Sequence, residues 1–428
     1  MSLWRRNLFT LTFVICFIYS LNGGLRGNCG VLMAPLCESS GLNYADVSFI
    51  MAVCQLLFGV LQPLFGVLAL KSSERVVLIG GALMLTAGFA LTPFCRSFVS
   101  LLFAFGILVG SGCAAVSFGM LLAVVARQVK STQTNTVSGL LNASSGVGTT
   151  VLAPLLQYLC VAVGLLGTMF FLGVPALLII PLTLWLCAKK AGAHEDKALS
   201  TSQGQPENEL KVSDTGQDTE PEAKTGALAM LREALRDRTY LFLLLGFGTC
   251  GFHMAILETH FFSELTLFGI SRSTASFIFA LYGIFTVLGS ALSGLLCNHL
   301  PMRLVLGSIY GMRVFLVLIV LVIPSSVWAL ALFTVFLGLS SDSTVSPTVG
   351  LILRHYGVRK MATLFGLTFV THQSSAFVSA ALGGVLAESA GGFTVLWLID
   401  AVLALGASLL SYSVREHPVS GVQEKPLN

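Results

Sequence analysis

The chain repeats itself at a spacing of 228 residues, and this repeat limits the possible folds more than any other feature. Gly41 returns as Gly269, and the stretch 66–78 (GVLALKSSERVVL) returns as 294–306 (GLLCNHLPMRLVL). Further pairs at the same spacing are Ser48 and Ser276, Phe49 and Phe277, Ile50 and Ile278, and Gly110 and Gly338. A repeat of this kind predicts two halves of like topology, related as parallel repeats.

Each half consists mainly of long apolar segments. Hydrophobic residues make up 55% of the chain and charged residues 10%, against about 25% charged residues in ordinary soluble domains. Segments of about 20 apolar residues cross a bilayer as helices, whereas barrel strands are shorter and alternate. We therefore predict an all-α membrane protein with two six-helix repeats. Its spans 1 to 12 are 7–36, 47–70, 76–94, 98–126, 136–165, 168–188, 240–263, 274–297, 304–323, 327–353, 361–386 and 393–413.

A polar stretch separates the two repeats. The predicted domains are a first bundle 1–188, a disordered linker 189–238, a second bundle 239–414 and a tail 415–428. The end of the linker can form a short amphipathic helix at the membrane surface. A plain tether and a regulatory docking site are both open interpretations of the linker.

The cations predict the orientation. Of the 24 Lys and Arg, only Arg96 and Arg272 fall in outer loops if both termini are cytoplasmic, and only Arg26 and Arg313 fall within spans. This distribution follows the positive-inside rule and predicts a multi-pass plasma-membrane protein. The net charge of +4 reflects that asymmetry and does not suggest a nucleic-acid partner.

Charged side chains inside a membrane are costly and call for an explanation. Arg26 in span 1 stands among glycines, and its planar guanidinium matches a carboxylate substrate. The alternative is that Arg26 extends to the outer headgroups. In span 7, His253 is within one residue of the repeat equivalent of Arg26, and we predict that it binds substrate; an ordinary interhelical donor is the alternative. Glu258 is a candidate proton carrier, or else a solvated group in the outer vestibule.

Further polar residues complete the predicted site. Arg313 in span 9 and Asp342 in span 10 are predicted to form a structural ion pair, with Asp342 as proton carrier in the alternative. Asp400 is placed at the outer interface without a role. The pair His372 and Gln373 in span 11 matches the polar stretch 142–145 of span 5. His372 and Gln373 are both predicted to bind substrate. Gln55 in span 2 and Tyr282 in span 8 add donors and acceptors to the same site.

Small residues predict close helix packing. The candidate positions are Gly106, Gly110 and Gly112 in span 4 and Gly139, Gly146 and Gly148 in span 5.

Motifs for enzymes and cofactors are missing from the sequence. It has no phosphate loop, HExxH, GxSxG or metal-ligand spacing, and its ten cysteines are scattered through apolar segments. We expect no enzymatic activity, no cofactor and no metal. Transport would then depend on a substrate or ion gradient.

At these residues the chain resembles the major facilitator superfamily, in particular the bacterial branch similar to monocarboxylate transporters and the oxalate/formate antiporter. The supporting stretches are 24–26 (GLR), 55–63 (QLLFGVLQP), 250–253 (CGFH), Arg313, 363–366 (TLFG) and 372–373 (HQ). The resemblance implies alternating access, a location in the bacterial inner membrane, and a cavity lined by spans 1, 4, 7 and 10. The chain departs from the family at Leu70, which occupies an acidic position of the loop between spans 2 and 3. It also lacks the Asp/Arg pair that monocarboxylate transporters carry in span 8.

The prediction is a secondary active transporter of small organic anions, monocarboxylates or dicarboxylates. Proton-coupled symport and antiport are both open interpretations of its mechanism. Its partners would be a small-molecule substrate and membrane lipid, and a monomer suffices for this architecture. One alternative is a proton-driven exporter of drugs or metabolites. Another is a transporter-fold sensor that signals through the linker.

Overall fold

The computed structural model describes residues 3–126, 128–129, 131–201, 232–322, 326–389 and 392–416. Within these residues the regular structure is helical, without strands. The predicted all-α fold class is confirmed. The predicted linker 189–238 and the tail 415–428 lie largely outside the described residues, so the domain boundaries stay a prediction.

The first half contains six membrane-crossing segments, some built from several short helices. Span 1 comprises Leu3–Gly27 and Cys29–Ser40, span 2 is Tyr44–Lys71, and span 3 is Glu74–Leu91 followed by the 3-10 turn Thr92–Phe94. Span 4 comprises Phe98–Leu101, the π-helix Leu102–Val109, Gly110–Ala115 and Phe118–Ala126. Spans 5 and 6 extend over Ser131–Thr201 as helix that is interrupted at Gly164.

The second half follows the same plan. Span 7 comprises Arg238–Ala255, the π-helix Ile256–Phe261 and Phe262–Leu267, span 8 is Arg272–Leu296, and span 9 is Met302–Val320. Span 10 begins with Val327–Ser340 and the 3-10 turn Asp342–Thr344, and it continues into Val345–Ala387. That helix is interrupted at Gly357, after which it forms span 11, and Gly392–Tyr412 is span 12.

This arrangement accommodates the twelve predicted spans. Ten described helices are long and apolar enough to cross a membrane, and one of them, Thr136–Cys187, contains both span 5 and span 6. The two are separated at Gly164, whose φ of 65° and ψ of −174° suit only glycine. The ten helices therefore account for eleven spans, and the helix after Gly357 is the twelfth, span 11.

Contacts within the halves repeat at the same spacing as the sequence. Span 1 packs on span 5 and span 3 on span 6, while span 7 packs on span 11 and span 9 on span 12. Asn22 donates to the carbonyl oxygens of Cys113 and Val116 at 2.9 and 2.7 Å. At positions 228 residues later, the thiol of Cys250 lies 3.8 Å from the carbonyl oxygen of Ser341 and 3.2 Å from the hydroxyl of Thr344. The sequence repeat is therefore also a structural repeat.

The halves meet where span 2 packs on span 11 and span 5 on span 8. At the predicted outer end, the hydroxyl of Ser48 donates to the carbonyl oxygen of Ala380 at 2.6 Å, and the hydroxyl of Tyr44 lies 3.0 Å from Nδ1 of His260. Towards the predicted cytoplasmic end, none of residues 60–71 of span 2 is buried, although these residues make three turns of helix. The two halves are thus in direct contact at the predicted outer end, whereas the other end of span 2 is partly or fully exposed.

Candidate functional site

Arg26 of span 1 points into the molecule, towards the second half. Its Nε donates to Oε1 of Gln55 at 3.1 Å, and its guanidinium carbon lies 3.6 Å from the centre of the Phe58 ring. Nη2 lies 3.9 Å from Oε2 of Glu258. These contacts are with interior groups of spans 2 and 7, so this geometry does not fit an arginine extended to the headgroups.

Gln55 connects Arg26 to the carboxylate of the other half. Its Oε1 accepts from Arg26, while its Nε2 donates to Oε2 of Glu258 at 2.6 Å. Glu258 belongs to the π-helix Ile256–Phe261, and its side chain is 10% exposed. The π-helical turn is a local departure from α-helix of the kind often found at functional sites.

Span 11 joins the same network through Gln373. Nε2 of Gln373 donates to the main-chain oxygen of Gln55 at 3.2 Å, and Oε1 of Gln373 lies 2.8 Å from Nδ1 of His372. The His372 ring stacks on Phe369 with an interplanar angle of 3°, and it also contacts Phe247. We call Arg26, Gln55, Glu258, His372 and Gln373 the central cluster. Its members come from spans 1, 2, 7 and 11, and therefore from both halves.

Tyr282 and Asp342 lie beside the central cluster. Asp342 begins the 3-10 turn of span 10, is partly exposed, and lies near enough to His372, Arg26 and Arg313 for their charges to act on it. The hydroxyl of Tyr282 donates to the sulfur of Met254 at 3.6 Å, and the residue interacts electrostatically with Glu258 and Asp342. Both predicted site residues therefore face the same region, at longer range than the members of the cluster.

His253, predicted to bind substrate, lies elsewhere. Its Nδ1 is 2.6 Å from Oδ2 of Asp400 in span 12, and both side chains are fully buried. His253 lies in the α-helix Arg238–Ala255 and Glu258 in the π-helix that follows it, and the two side chains contact different neighbours. Glu258 faces the central cluster, and His253 faces span 12. Asp400 is accordingly an internal partner, and its predicted place at the outer interface is wrong.

Arg313 does not form the predicted ion pair with Asp342. Its Nη2 donates to the carbonyl oxygens of Ser340 and Ser341 at 2.6 and 3.0 Å, and no salt bridge joins it to Asp342 in the described structure. The helix Val327–Ser340 ends there, which leaves carbonyl groups without helical partners. A buried guanidinium satisfies those carbonyls, while Asp342 lies beyond the break.

The sequence prediction missed one site residue, Phe58, and the partner of His253, Asp400. Phe58 lies three residues after Gln55 on the same face of span 2, and that spacing was a signal for its contact with Arg26. Asp400 carries a charge within an apolar span, which by itself indicated a buried partner. In the described part of the chain, no three His, Cys, Asp or Glu side chains cluster as metal ligands would.

A sequence model described as "Major Facilitator Superfamily" matches residues 15–265 and 254–427. The chain belongs to the major facilitator superfamily. It is a transporter that crosses the membrane several times, in keeping with its repeated helices and the contact of its two halves at the central cluster.

Relatives of this chain include transporters of bacteria and mammals. It is 24% identical over 403 residues to the "Uncharacterized MFS-type transporter YcxA" of Bacillus subtilis, an overlap of 92% of this chain and 91% of the relative. It is 23% identical to human "Monocarboxylate transporter 11", over 92% of this chain and 80% of the relative. For human "Monocarboxylate transporter 12" the identity is 23%, over 86% and 72% of the two chains.

Proposed function

We propose that the protein is a secondary active transporter of small organic anions, monocarboxylates or dicarboxylates, that works by alternating access. The observation that carries the proposal is the interior contact of Arg26 with Glu258, bridged by Gln55. It places a guanidinium between the two halves, with a carboxylate of the protein as its partner. The similarity to monocarboxylate transporters supports the same substrate class.

A substrate carboxylate would replace Glu258 at Arg26. The present contact to Glu258 is long, at 3.9 Å, and engages one guanidinium nitrogen. A carboxylate that approaches in the guanidinium plane can form two parallel charge-assisted bonds, which are shorter and stronger. The stacked Phe58 ring holds the guanidinium plane in place for this exchange.

Charge balance couples this exchange to a proton. Arg26 and Glu258 together are neutral, and a bound carboxylate would add one uncompensated negative charge to a site of low dielectric. Because such a charge is costly, protonation of Glu258 would accompany substrate binding. The loaded site would again be neutral, and one proton would move with each monocarboxylate.

The remaining cluster residues suit the other end of the substrate. His372 and Gln373 lie on the opposite half and currently hydrogen-bond each other and the main chain of Gln55. A hydroxyl or second carboxylate of the substrate can take over these bonds. Binding would then connect the two halves through the substrate, as alternating access requires.

The test is uptake of labelled small carboxylates into proteoliposomes, with and without an inward proton gradient. We expect saturable, gradient-stimulated uptake of at least one acid, and about a 30-fold or greater loss of kcat/KM in Arg26→Ala, since truncating one partner of a buried charge pair costs about 2–5 kcal/mol. Arg236→Ala is the matched control, because Arg236 is an exposed arginine outside the site. Normal transport by Arg26→Ala would refute the proposal. Competition by lipophilic cations, with none by carboxylates, would favour the exporter.

A further inference from the structure

A cavity lies at the predicted outer end, away from the central cluster. Its volume is about 480 Å³, within the range of small-molecule sites. Apolar side chains form most of its wall, including Val31, Pro35, Phe94, Leu165 and Phe262. The polar lining residues Glu38, Arg96, Gln157 and Arg272 come from both halves of the molecule. We call this space the outer cavity.

The outer cavity collects both arginines that the sequence places in outer loops. Arg96 donates from Nη1 to the hydroxyl of Ser39 at 3.0 Å and to nearby main-chain oxygens. Arg272 makes one long contact, from Nη2 to Oε1 of Glu38 at 3.7 Å. A guanidinium carries five N–H donors, so Arg272 keeps donors for another acceptor. Two cations and one carboxylate give these polar residues a net positive charge.

Gln157 of span 5 adds an available polar group to the wall of the cavity. The residue is 5% exposed, lines the outer cavity, and has no hydrogen-bond partner among the described residues. Its amide atoms are not sealed off from solvent, so they face the space of the outer cavity, where a ligand can reach them. An acceptor held between the arginines would satisfy the Gln157 amide.

From these features we infer that the outer cavity binds an amphipathic organic anion, with its acidic group at Arg96, Arg272 and Gln157. The apolar part of the ligand packs against the wall formed by Val31, Pro35 and their neighbours. An acid with an alkyl chain and an anionic lipid share this chemistry. The bound anion competes with Glu38 for Arg272, and so weakens an ion pair that joins the two halves at their closed end.

A tryptophan reporter tests this site. Phe94 lines the cavity and is 63% exposed, so Phe94→Trp places a fluorophore at the entrance. The probe is a bromine-labelled ten-carbon carboxylic acid, added to protein in phosphatidylcholine nanodiscs, and the signal is quenching beyond that of the unsubstituted protein. Phe315→Trp is the control reporter, because Phe315 is an exposed residue of span 9 that does not line the cavity.

We expect saturable quenching for Phe94→Trp and a linear, unsaturable response for Phe315→Trp. Adding Arg272→Gln should raise the half-saturating concentration at least about tenfold, the effect of losing a hydrogen bond to a charged group. Gln157→Leu should also raise it, whereas Arg236→Gln should leave it unchanged. Linear quenching at both reporters, or saturation insensitive to Arg272→Gln and Gln157→Leu, would overturn the inference.

Two further arms identify the ligand and separate this site from the central cluster. If phosphatidylglycerol in the nanodisc raises the half-saturating concentration, the site holds an anionic lipid; if it has no effect, the site holds the free acid. Both results support an amphipathic anion site. The same titration in Arg26→Ala should be unchanged, so this inference can stand or fall independently of the transport proposal.

Discussion

Arg26 and Arg313 are both arginines within membrane spans, yet their guanidinium groups have different surroundings. Arg313 is fully buried and donates to two main-chain carbonyls at the end of a helix. Arg26 is partly exposed, and it has one good hydrogen bond, one aromatic face and one long carboxylate contact. Nη2 of Arg313 is held by main-chain groups and its other two nitrogens are buried without a hydrogen-bond partner among the described residues, whereas the contacts of Arg26 face the central cluster and can be exchanged. This difference is why we assign substrate binding to Arg26 alone.

Replacing Glu258 by Gln tests the proposed proton coupling. Gln keeps the size of the side chain and can accept from the Gln55 amide, but its amide does not take up and release a proton as a carboxylate does. We expect Glu258→Gln to lose proton-driven accumulation while it keeps exchange of substrate across the membrane. The measurement compares net uptake driven by a pH gradient with exchange at equal pH. Accumulation that still follows the gradient would show that the proton binds elsewhere, with Asp342 the next residue to replace.

Replacing Arg313 by Met tests the structural role of that arginine. The change leaves the carbonyls of Ser340 and Ser341 without their donor, and each charge-assisted hydrogen bond contributes about 1.5–3 kcal/mol. We expect a loss of stability of about 3 kcal/mol or more, measured as a lower unfolding temperature of the protein in detergent. Arg236→Met, at an exposed position, should leave that temperature within error. An unchanged temperature in Arg313→Met would mean that water can replace the guanidinium.

Helix packing in each half depends on glycines at sites of close approach. A Cβ atom at Gly110 would lie 2.8 Å from the carbonyl oxygen of Cys54, and one at Gly338 would lie 2.7 Å from that of Tyr282, at positions 228 residues later. Gly146 and Gly148 likewise lie against neighbouring helices, as predicted. Gly139 has open space around it, so its predicted packing role is wrong.

Gly148→Ala and Gly139→Ala give a matched pair in one helix. A methyl group at Gly148 would collide with the main chain of Ser20 in span 1, whereas one at Gly139 meets nothing within 4 Å. We expect Gly148→Ala to lose about 1–3 kcal/mol by overpacking, and Gly139→Ala to be neutral or to gain about 0.5–1 kcal/mol from better helix propensity. Thermal unfolding in detergent measures both. Equal effects of the two substitutions would show that spans 1 and 5 can move apart to accept a methyl group at little cost in free energy.

The sequence predicts which helix a residue belongs to and its approximate depth, but not the direction in which its side chain points. Hydropathy and the repeat predicted the helices and the approximate depth of the polar side chains within them, which made Arg26, Gln55, Glu258 and Gln373 candidate site residues. Depth does not determine how a helix is rotated or which neighbour it faces. For that reason His253 was predicted in the site but pairs with Asp400, and Arg313 was predicted to pair with an acid but caps a helix.

At the scale of the whole molecule, two symmetric halves are held in one asymmetric arrangement. The halves share their internal contacts, and besides the central cluster they are joined at the predicted outer end, where Ser48 and Tyr44 contact span 11 and span 7. The central cluster lies at the inner limit of that closed region. Under the proposed alternating access, passage of substrate to the predicted outer side requires these outer contacts to separate.

A disulfide across the closed end tests that separation. A Cβ atom at Gly384 would lie 2.5 Å from Cβ of Ser48, so a shift of about 1 Å gives the usual 3.5–4.5 Å of a disulfide. We expect oxidation of Ser48→Cys/Gly384→Cys to stop uptake into proteoliposomes and reduction to restore it, because the two halves are then locked in one state. The control is Gly81→Cys/Ala115→Cys, where the two Cβ atoms would be 2.6 Å apart but both lie in the first half. Oxidation of the control pair should leave transport unchanged if the halves move as units. Transport that continues through the crosslinked outer pair would mean that the substrate does not pass between the ends of spans 2 and 11.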